Sequence, residues 1–489
     1  MVPNRSNIYL YIALNLEKAI NKMNKLLIKE YYNQVASKRE KWKKRNRFYH
    51  KNLEKYYSFI IPAQNRVIEI GCGTGDLLNS INPLHGVGID FASNVIEIAK
   101  QKYPHLNFYV DNAEELAINE KFDYIIVSDL ISCLWDVQKA VQNIKKLCHE
   151  KTRIVISNYN YLWESILKLG EKIGLKQKQP NQNWLSFHDI ENLLYLEDFQ
   201  VIKLDRKLLL PKYIPGLHFL FNIILANLPL VNRLDLVNII IAKPIFPKTT
   251  DYTVSIIIPA KNEKGNIENV IKRTPIFGKS QEFIFIEGNS SDNTYEEMIR
   301  TKEVYKDKDI KIFIQIGKGK GNAVRQGFDN ASGEILMILD ADLTTPPEEL
   351  PKFYEAIRNG KGEFINGCRL VYPMEKQAMR FLNLIGNKFF GWFFSYLLGQ
   401  KLKDTLCGIK VFFKFDYEKI KKNRIYFGDF DPFGDFDLLF GAAKLNLKII
   451  EIIVRYKERE YGTTQINRFK HGWLLIKMSL FAAKKIKFR

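Results

Sequence analysis

The sequence predicts an α/β protein built from two successive domains. Three observations carry this. β-Branched apolar runs alternate with helical periodicity from Arg66 to Ala242, and the alternation restarts at Thr253. Between the two series lies Lys243-Pro-Ile-Phe-Pro-Lys-Thr-Thr-Asp251, which has two prolines and no periodicity. The chain, at 489 residues, also exceeds the roughly 100–200 residues of one ordinary domain. The expected boundaries are a first domain over 1–243, a linker over 244–251 and a second domain over 252–489.

Each strand is expected from a short apolar run. In the first series these are Arg66–Ile70, Gly86–Asp90, Leu106–Val110, Phe122–Ser128 and Arg153–Ser157, closed by Phe199–Asp205 and Leu236–Ala242. In the second they are Thr253–Pro259, Phe283–Glu287, Ile310–Ile316 and Glu334–Leu339. Strand–helix alternation at this pace implies a mainly parallel sheet with helices on both faces. Ahead of the first strand, Leu14–Glu30 and Tyr31–Tyr57 read as two basic helices.

Hydrophobic residues make up 46% and charged residues 26%, which excludes disorder and fibrous repeats as the main state. The formal charge of +20, from 74 basic and 54 acidic residues, is concentrated at the ends. Residues 1–58 carry 14 Lys/Arg against 4 Asp/Glu, and residues 465–489 carry 7 Lys/Arg and no acid. Five scattered cysteines with no C-x-x-C pair argue against a zinc site and favour a reducing compartment. No secretory signal and no uninterrupted apolar run long enough for a transmembrane helix is expected. Leu208–Val231 and Phe381–Leu398 come nearest, and read either as core helices or as helices in a membrane interface.

The first motif is Val67-Ile-Glu-Ile-Gly-Cys-Gly-Thr-Gly75, a buried strand running into a glycine loop just before a helical pattern. Glycines at this turn let the backbone approach a ligand and leave helix N-terminal amides free. Asp90 ends the next strand, about 20 residues on, where an acid can hold a ribose diol. Asp111-Asn112 ends the third strand and Asp129 follows the fourth, so acidic side chains gather along one crevice.

This E-x-G-x-G-x-G loop with its strand-end acids resembles the class I S-adenosylmethionine-dependent methyltransferases, over about residues 30–243. The resemblance implies a Rossmann-like fold and S-adenosylmethionine as cofactor. It implies that Gly71, Gly73 and Gly75 border the methionine moiety, that Glu69 orders the loop, and that Asp90 binds the ribose hydroxyls. Asp111 and Asn112 would meet the adenine, Asp129 would fall near the transferred methyl, and Tyr31-Tyr32 would cap the cofactor. His188 and Trp135 are candidate acceptor contacts or structural residues.

The second series carries four strand-end motifs in order: Pro259-Ala-Lys-Asn-Glu263, Glu287-Gly-Asn-Ser-Ser-Asp-Asn-Thr294, Gly317-Lys-Gly-Lys-Gly321 opening a helix, and Asp340-Ala-Asp-Leu-Thr-Thr-Pro-Pro347. Asp340 and Asp342 form a D-x-D turn able to hold Mg²⁺ or Mn²⁺ together with a substrate diphosphate.

This set resembles the family 2 inverting glycosyltransferases with the GT-A fold, most closely the dolichol-phosphate mannosyltransferase-like branch, over about residues 252–489. By resemblance, Pro259, Ala260, Asn262, Glu263, Glu287, Asp292, Lys318 and Asp340 line the nucleotide-sugar, and Asp340 and Asp342 hold the metal. Glu287-Gly288 stands where the family has two acids, so base and ribose recognition are expected to differ. Arg369, Lys410 and Arg459 lie in segments resembling this branch's acceptor site, as cations suited to a lipid phosphate. Asp437, and after it Asp435, lies where many members carry a catalytic base.

The expectation is a bifunctional enzyme, peripheral at the cytoplasmic face of a membrane and drawn there by its basic ends. The expected partners are a nucleotide-sugar donor, a lipid-phosphate or glycan acceptor and an anionic leaflet, with no nucleic acid. Two alternatives remain: a glycosyltransferase with a methyltransferase-like docking module, and an RNA-binding or RNA-modifying methyltransferase.

Overall fold

The computed structural model describes residues 26–180, 182–246, 250–371, 381–424, 434–459, 461–462 and 468–488, of which 381–383 and 468–472 are described by backbone only. The first 25 residues, most of the expected Leu14–Glu30 helix, and much of the 459–465 segment lie outside the described residues. The chain divides into two compact units between Ile245 and Phe246.

The first unit begins with helix α1 (residues 26–45) and α2 (Arg47–Ile60). The break falls at Asn46, later than the expected joint before Tyr31. The Asn46 amide side chain donates to the Trp42 carbonyl at 3.3 Å, a local bond that competes with helix continuation. Then follow β1 (Arg66–Ile70), α3 (Asp76–Ile81), β2 (His85–Asp90), α4 (Ser93–Lys102), β3 (Asn107–Val110), β4 (Phe122–Ser128), α5 (Val137–Lys145) and β5 (Cys148–Tyr159). The unit closes with α6 (Glu164–Lys172), α7 (Phe187–Leu196), β6 (Phe199–Lys207) and β7 (Val237–Pro244).

The seven strands pair in the order β3-β2-β1-β4-β5-β7-β6, with β7 antiparallel to both neighbours and the other pairs parallel. The dinucleotide-binding order ends in a parallel sixth strand, so the antiparallel β7 separates this sheet from that class. The strand order reverses between the parallel neighbours β1 and β4, and the crevice at their carboxyl ends is where ligands bind in such folds. β7 reaches Pro244, one residue into the segment expected as linker, because proline is tolerated at a strand end where it owes no further ladder bond.

The second unit runs β8 (Thr253–Ala260), α8 (Ile267–Arg273), β9 (Ser280–Glu287), α9 (Thr294–Val304), β10 (Asp309–Ile314), α10 (Lys320–Asp329), β11 (Ile335–Ile338), α11 (Leu350–Arg358) and β12 (Phe364–Cys368). It ends with α12 (Phe381–Leu398), β13 (Lys410–Phe413), α13 (Lys414–Lys422), α14 (Asp435–Lys444), β14 (Ile449–Ile453) and α15 (Arg468–Ile486). The strand order is β10-β9-β8-β11-β13-β12-β14, with β13 antiparallel to β11 and β12. Both units are α/β with mixed seven-stranded sheets.

Each sheet is sandwiched by apolar side chains. In the first, Val67, Ile126, Val155 and Ile239 are fully buried, and in the second Ile256, Ile284, Met337 and Val411 are. Removing such a side chain from water contributes about 1.5–3 kcal/mol each. α12 is neither wholly core nor wholly surface. Phe390, Phe394 and Leu397 are buried, with Phe394 4.5 Å from the Phe436 ring, while Ile385, Phe389 and Trp392 are exposed. Among the described residues no helix is long and apolar enough to cross a membrane.

Two candidate active sites

In the first unit the glycine loop is held in a conformation few other residues adopt. Gly71, Gly73 and Gly75 have φ of +75°, +53° and +78°. A Cβ on Gly73 would lie 2.5 Å from the Arg39 guanidinium, so the side chain of Arg39 lies directly on the loop. Glu69 is buried, and its carboxylate accepts the Leu78 amide at 3.0 Å, tying β1 to α3. Burial pushes its pKa up to about 8. Asp90 accepts the Gly73 amide at 3.1 Å and the Ala92 amide at 3.0 Å. Asp111 accepts the Asn112 and Ala117 amides, and Asn112 in turn accepts the Glu114 amide, so these two side chains shape the loop after β3.

Asp129 sits at φ +54°, a strained position for a residue with a Cβ. One carboxylate oxygen accepts the Tyr49 hydroxyl at 2.7 Å, and the other is buried without a hydrogen-bond partner. Burial raises its pKa to about 6. Such an under-satisfied acceptor beside a ligand crevice can take a proton or a donor from a bound molecule.

Helix α1 closes over this loop. Tyr32, Ala36, Arg39 and Lys43 fall at i, i+4, i+7 and i+11, which is one face of a helix. Tyr32 packs edge-on against Phe91, next to Asp90, and its hydroxyl donates to Cys133 Sγ at 3.4 Å. Lys43 donates to Thr74 at 2.7 Å and pairs with Asp76, and Thr74 donates to Glu40 at 3.0 Å. Lys102 ties Glu40 and Asp76 from below the loop, at 3.0 and 2.5 Å.

In the second unit five charged side chains meet at the carboxyl ends of β8 and β11. Lys320, in the first turn of α10, pairs with Asp340 at 2.6 Å. Burial opposes ionisation of Asp340, and Lys320 followed by Arg369 and Lys410 outweighs it, holding the carboxyl below its ordinary value. A Cβ on Gly408 would lie 1.9 Å from Asp340, so glycine there makes room for the carboxylate. Asp342 accepts the Thr344 amide and hydroxyl at 3.1 and 2.8 Å, and its other oxygen meets Arg459 at 2.6 Å. Arg459 also holds Glu263 at 2.6 Å. Burial raises Glu263 to about 7 despite Arg459.

Around this centre the loops are self-supporting. Glu287 accepts the Asn289 and Ser290 amides at 3.0 and 2.6 Å, and Asn262 accepts the Ser291 amide at 2.8 Å. Asp292 accepts the Lys264 amide at 3.3 Å and the Tyr461 hydroxyl at 3.1 Å. Among the described residues no group of three His, Cys, Asp or Glu forms a metal cage. The donor set at Asp340 and Asp342 fits a hard divalent cation that takes its remaining oxygens from a diphosphate and water.

Residues 61–208 match the family model for a methyltransferase domain, and residues 255–421 match that for glycosyl transferase family 2. The chain joins a methyltransferase domain to a family 2 glycosyltransferase domain. It is 38% identical over 109 residues to a dolichol-phosphate mannosyltransferase of Pyrococcus furiosus, covering 22% of this chain and 30% of that protein. It is 24% identical over 223 residues to an undecaprenyl-phosphate 4-deoxy-4-formamido-L-arabinose transferase of Edwardsiella ictaluri, covering 44% of this chain and 64% of that protein. The matches thus span between about a third and two thirds of these relatives. A solved S-adenosylmethionine-dependent methyltransferase of Thermotoga maritima is 16% identical, with a TM-score of 0.36, over 44% of this chain and 99% of its own.

Several expected site residues have partners within the protein. In the glycosyltransferase domain Lys318 is exposed, and Lys320, two residues on, is the lysine that meets Asp340. Arg369 is held bidentately by the fully buried Asp404 at 2.7 and 2.9 Å, and Lys410 is buried on Asp435 at 2.7 Å and the Cys407 carbonyl at 2.6 Å. Both expected phosphate grips are thus already paired with carboxylates. Asp437 pairs with Arg424 at 3.0 Å in a pocket lined by Val324, Phe328 and Tyr417, whereas Asp435 shares the electrostatic surroundings of Lys320 and Lys410. Pro259 and Ala260 end β8 beside Glu287.

In the methyltransferase domain His188 stands in solvent beside Glu191, and Trp135 is partly exposed with its amide on Glu114. Arg39 and Lys43 are the residues sequence reading passed over, although the spacing Tyr32–Ala36–Arg39–Lys43 was available to find them.

Proposed function

We propose that the protein is a bifunctional enzyme. Its first domain transfers a methyl group from S-adenosylmethionine, and its second transfers a sugar from a nucleotide-sugar to a polyprenyl phosphate or a lipid-linked glycan. The observation that carries the first half is the left-handed glycine loop with Asp90 on the Gly73 amide and Arg39 above it. Arg39 supplies a cation for the cofactor carboxylate, and Tyr32 with α1 excludes water. Asp129, with one free buried oxygen, receives the proton of an acceptor hydroxyl or amine as its heteroatom attacks the methyl. Holding acceptor and sulfonium in line provides much of the rate.

For the second half the cluster of Lys320, Asp340, Asp342, Glu263 and Arg459 carries the reading. Asp340 and Asp342 would hold Mg²⁺ or Mn²⁺, which when bound neutralises charge on the nucleoside diphosphate. With those carboxylates on a metal, Lys320 would be available to the diphosphate, and Arg459 would keep Glu263 as its partner at the end of β8. The acceptor oxygen attacks the anomeric carbon opposite the leaving diphosphate, inverting the configuration. A phosphate acceptor is already anionic. Where the acceptor is a hydroxyl, Asp435 is the better placed base. Curated relatives bearing undecaprenyl-phosphate and dolichol-phosphate names support the lipid-phosphate class.

The test is a screen of uridine and guanosine sugars with a short polyprenyl phosphate and Mn²⁺. Sugar transfer lost in Asp342→Ala with methyl transfer intact supports the reading, and transfer retained in that variant refutes the metal assignment.

A further inference from the structure

The methyltransferase domain carries an excursion between β6 and β7 that neither active site uses. It is folded, not loose. Asn222 exchanges hydrogen bonds with the Leu210 amide and carbonyl at 2.8 and 2.9 Å, Lys207 donates to Asn227 at 3.0 Å, and Leu208 and Ala226 are buried beneath it. Yet its large apolar side chains point outward. Tyr213 is 57% exposed, Leu217 45%, Phe219 55%, Leu220 43% and Leu230 70%. A folded domain rarely holds so many neighbouring apolar groups in water without a partner for them.

The charge around this face has one sign. Between Arg206 and Leu234 there are four Lys or Arg and no Asp or Glu. The excursion is fastened to the α1–α2 corner: Lys212 donates to Asn46 at 2.6 Å, and the Tyr213 ring lies 5.6 Å from Phe48. That corner presents the exposed cations Lys41, Lys44, Arg45 and Arg47, with no acid between Lys41 and Leu53. An apolar face rimmed by cations matches a surface of acyl chains beneath anionic headgroups. A second copy fits poorly, since a two-fold interface would set this cationic rim against itself.

We infer that the β6–β7 excursion and the α1–α2 corner form a docking face by which the methyltransferase domain seats on an anionic phospholipid leaflet. Phe219, Leu220 and Leu217 enter the headgroup boundary, and Lys44, Arg45 and Arg47 meet lipid phosphates. The inference rests on this face and not on the identity of either substrate, so either can fail alone.

Hydrogen–deuterium exchange of the full chain tests it locally. Vesicles of phosphatidylcholine with phosphatidylglycerol are expected to slow exchange across residues 212–224, and pure phosphatidylcholine to do so far less. Phe219→Ser with Leu220→Ser should abolish that protection, at about tenfold in vesicle affinity for each side chain. Lys44→Gln and Arg45→Gln, exposed and outside both active sites, should each weaken it roughly fivefold. Unchanged exchange at 212–224 with anionic vesicles overturns the proposal. So does protection that instead rises with protein concentration alone, or that comes from an RNA oligonucleotide and not from vesicles.

Discussion

Arg459 lies 2.6 Å from Asp342 while its other nitrogen lies 2.6 Å from Glu263, so one guanidinium bridges the D-x-D turn to the end of β8. The residue expected to grip the acceptor is thereby paired with the carboxylates that follow β8 and β11. Arg459→Gln is expected to disorder this junction and to raise KM for the nucleotide-sugar more than KM for the acceptor. Steady-state kinetics varying each substrate in turn decides it, and a change confined to the acceptor KM would restore the phosphate-grip assignment.

Asp435 and Asp437 are separated by role. Asp435→Asn should lower kcat for sugar transfer and also lower the melting temperature, since the fully buried Lys410 loses its carboxylate and keeps only the Cys407 carbonyl. Asp437→Leu should destabilise the fold, because it removes the carboxylate that Arg424 meets at 3.0 Å in a largely buried pair. Measured well below each variant's melting temperature, kcat separates the two: it falls in Asp435→Asn and is kept in Asp437→Leu.

Arg39 is expected to bind the cofactor carboxylate. Arg39→Gln should weaken S-adenosylmethionine binding about tenfold, or about 1.4 kcal/mol, as loss of one charge-assisted contact. Equal affinity in calorimetry would contradict this.

Glu69 gives a pH signature. Burial raises its folded pKa to about 8, against an ordinary value of 4.5. The folded state therefore holds a proton that the unfolded state releases, and this contribution is complete below about pH 4.5 and lost as pH rises towards 8. The wild type should lose several degrees of melting temperature between pH 5 and pH 8, at about 2–4 °C per kcal/mol. Glu69→Gln, which still accepts the Leu78 amide, should flatten that slope, and parallel curves would refute the assignment.

What was legible in the sequence was local. The glycine loop, the strand-end acids and the D-x-D turn each lie within one strand–turn–helix stretch, and each sits at the crevice of its sheet. β12, β13 and β14 were not anticipated, because each is a run of only four or five residues, and Phe364-Ile-Asn-Gly-Cys368 is also interrupted by Asn and Gly. Pairings across long separations were hidden as well. Arg369 and Asp404 stand 35 residues apart, and Arg459 and Glu263 stand 196 apart, so spacing alone could not show which cations were already committed. Lys318 and Lys320 flank the same glycine, and only helix α10 decides which of them faces Asp340.

Calorimetric titration of S-adenosylmethionine into the full chain decides whether the first domain is a working methyltransferase and the protein therefore bifunctional. Binding should saturate at one site per chain, be sharply weakened by Asp90→Ala and be untouched by Asp342→Ala. No heat of binding would contradict the bifunctional reading and leave a glycosyltransferase joined to a methyltransferase fold that binds no cofactor.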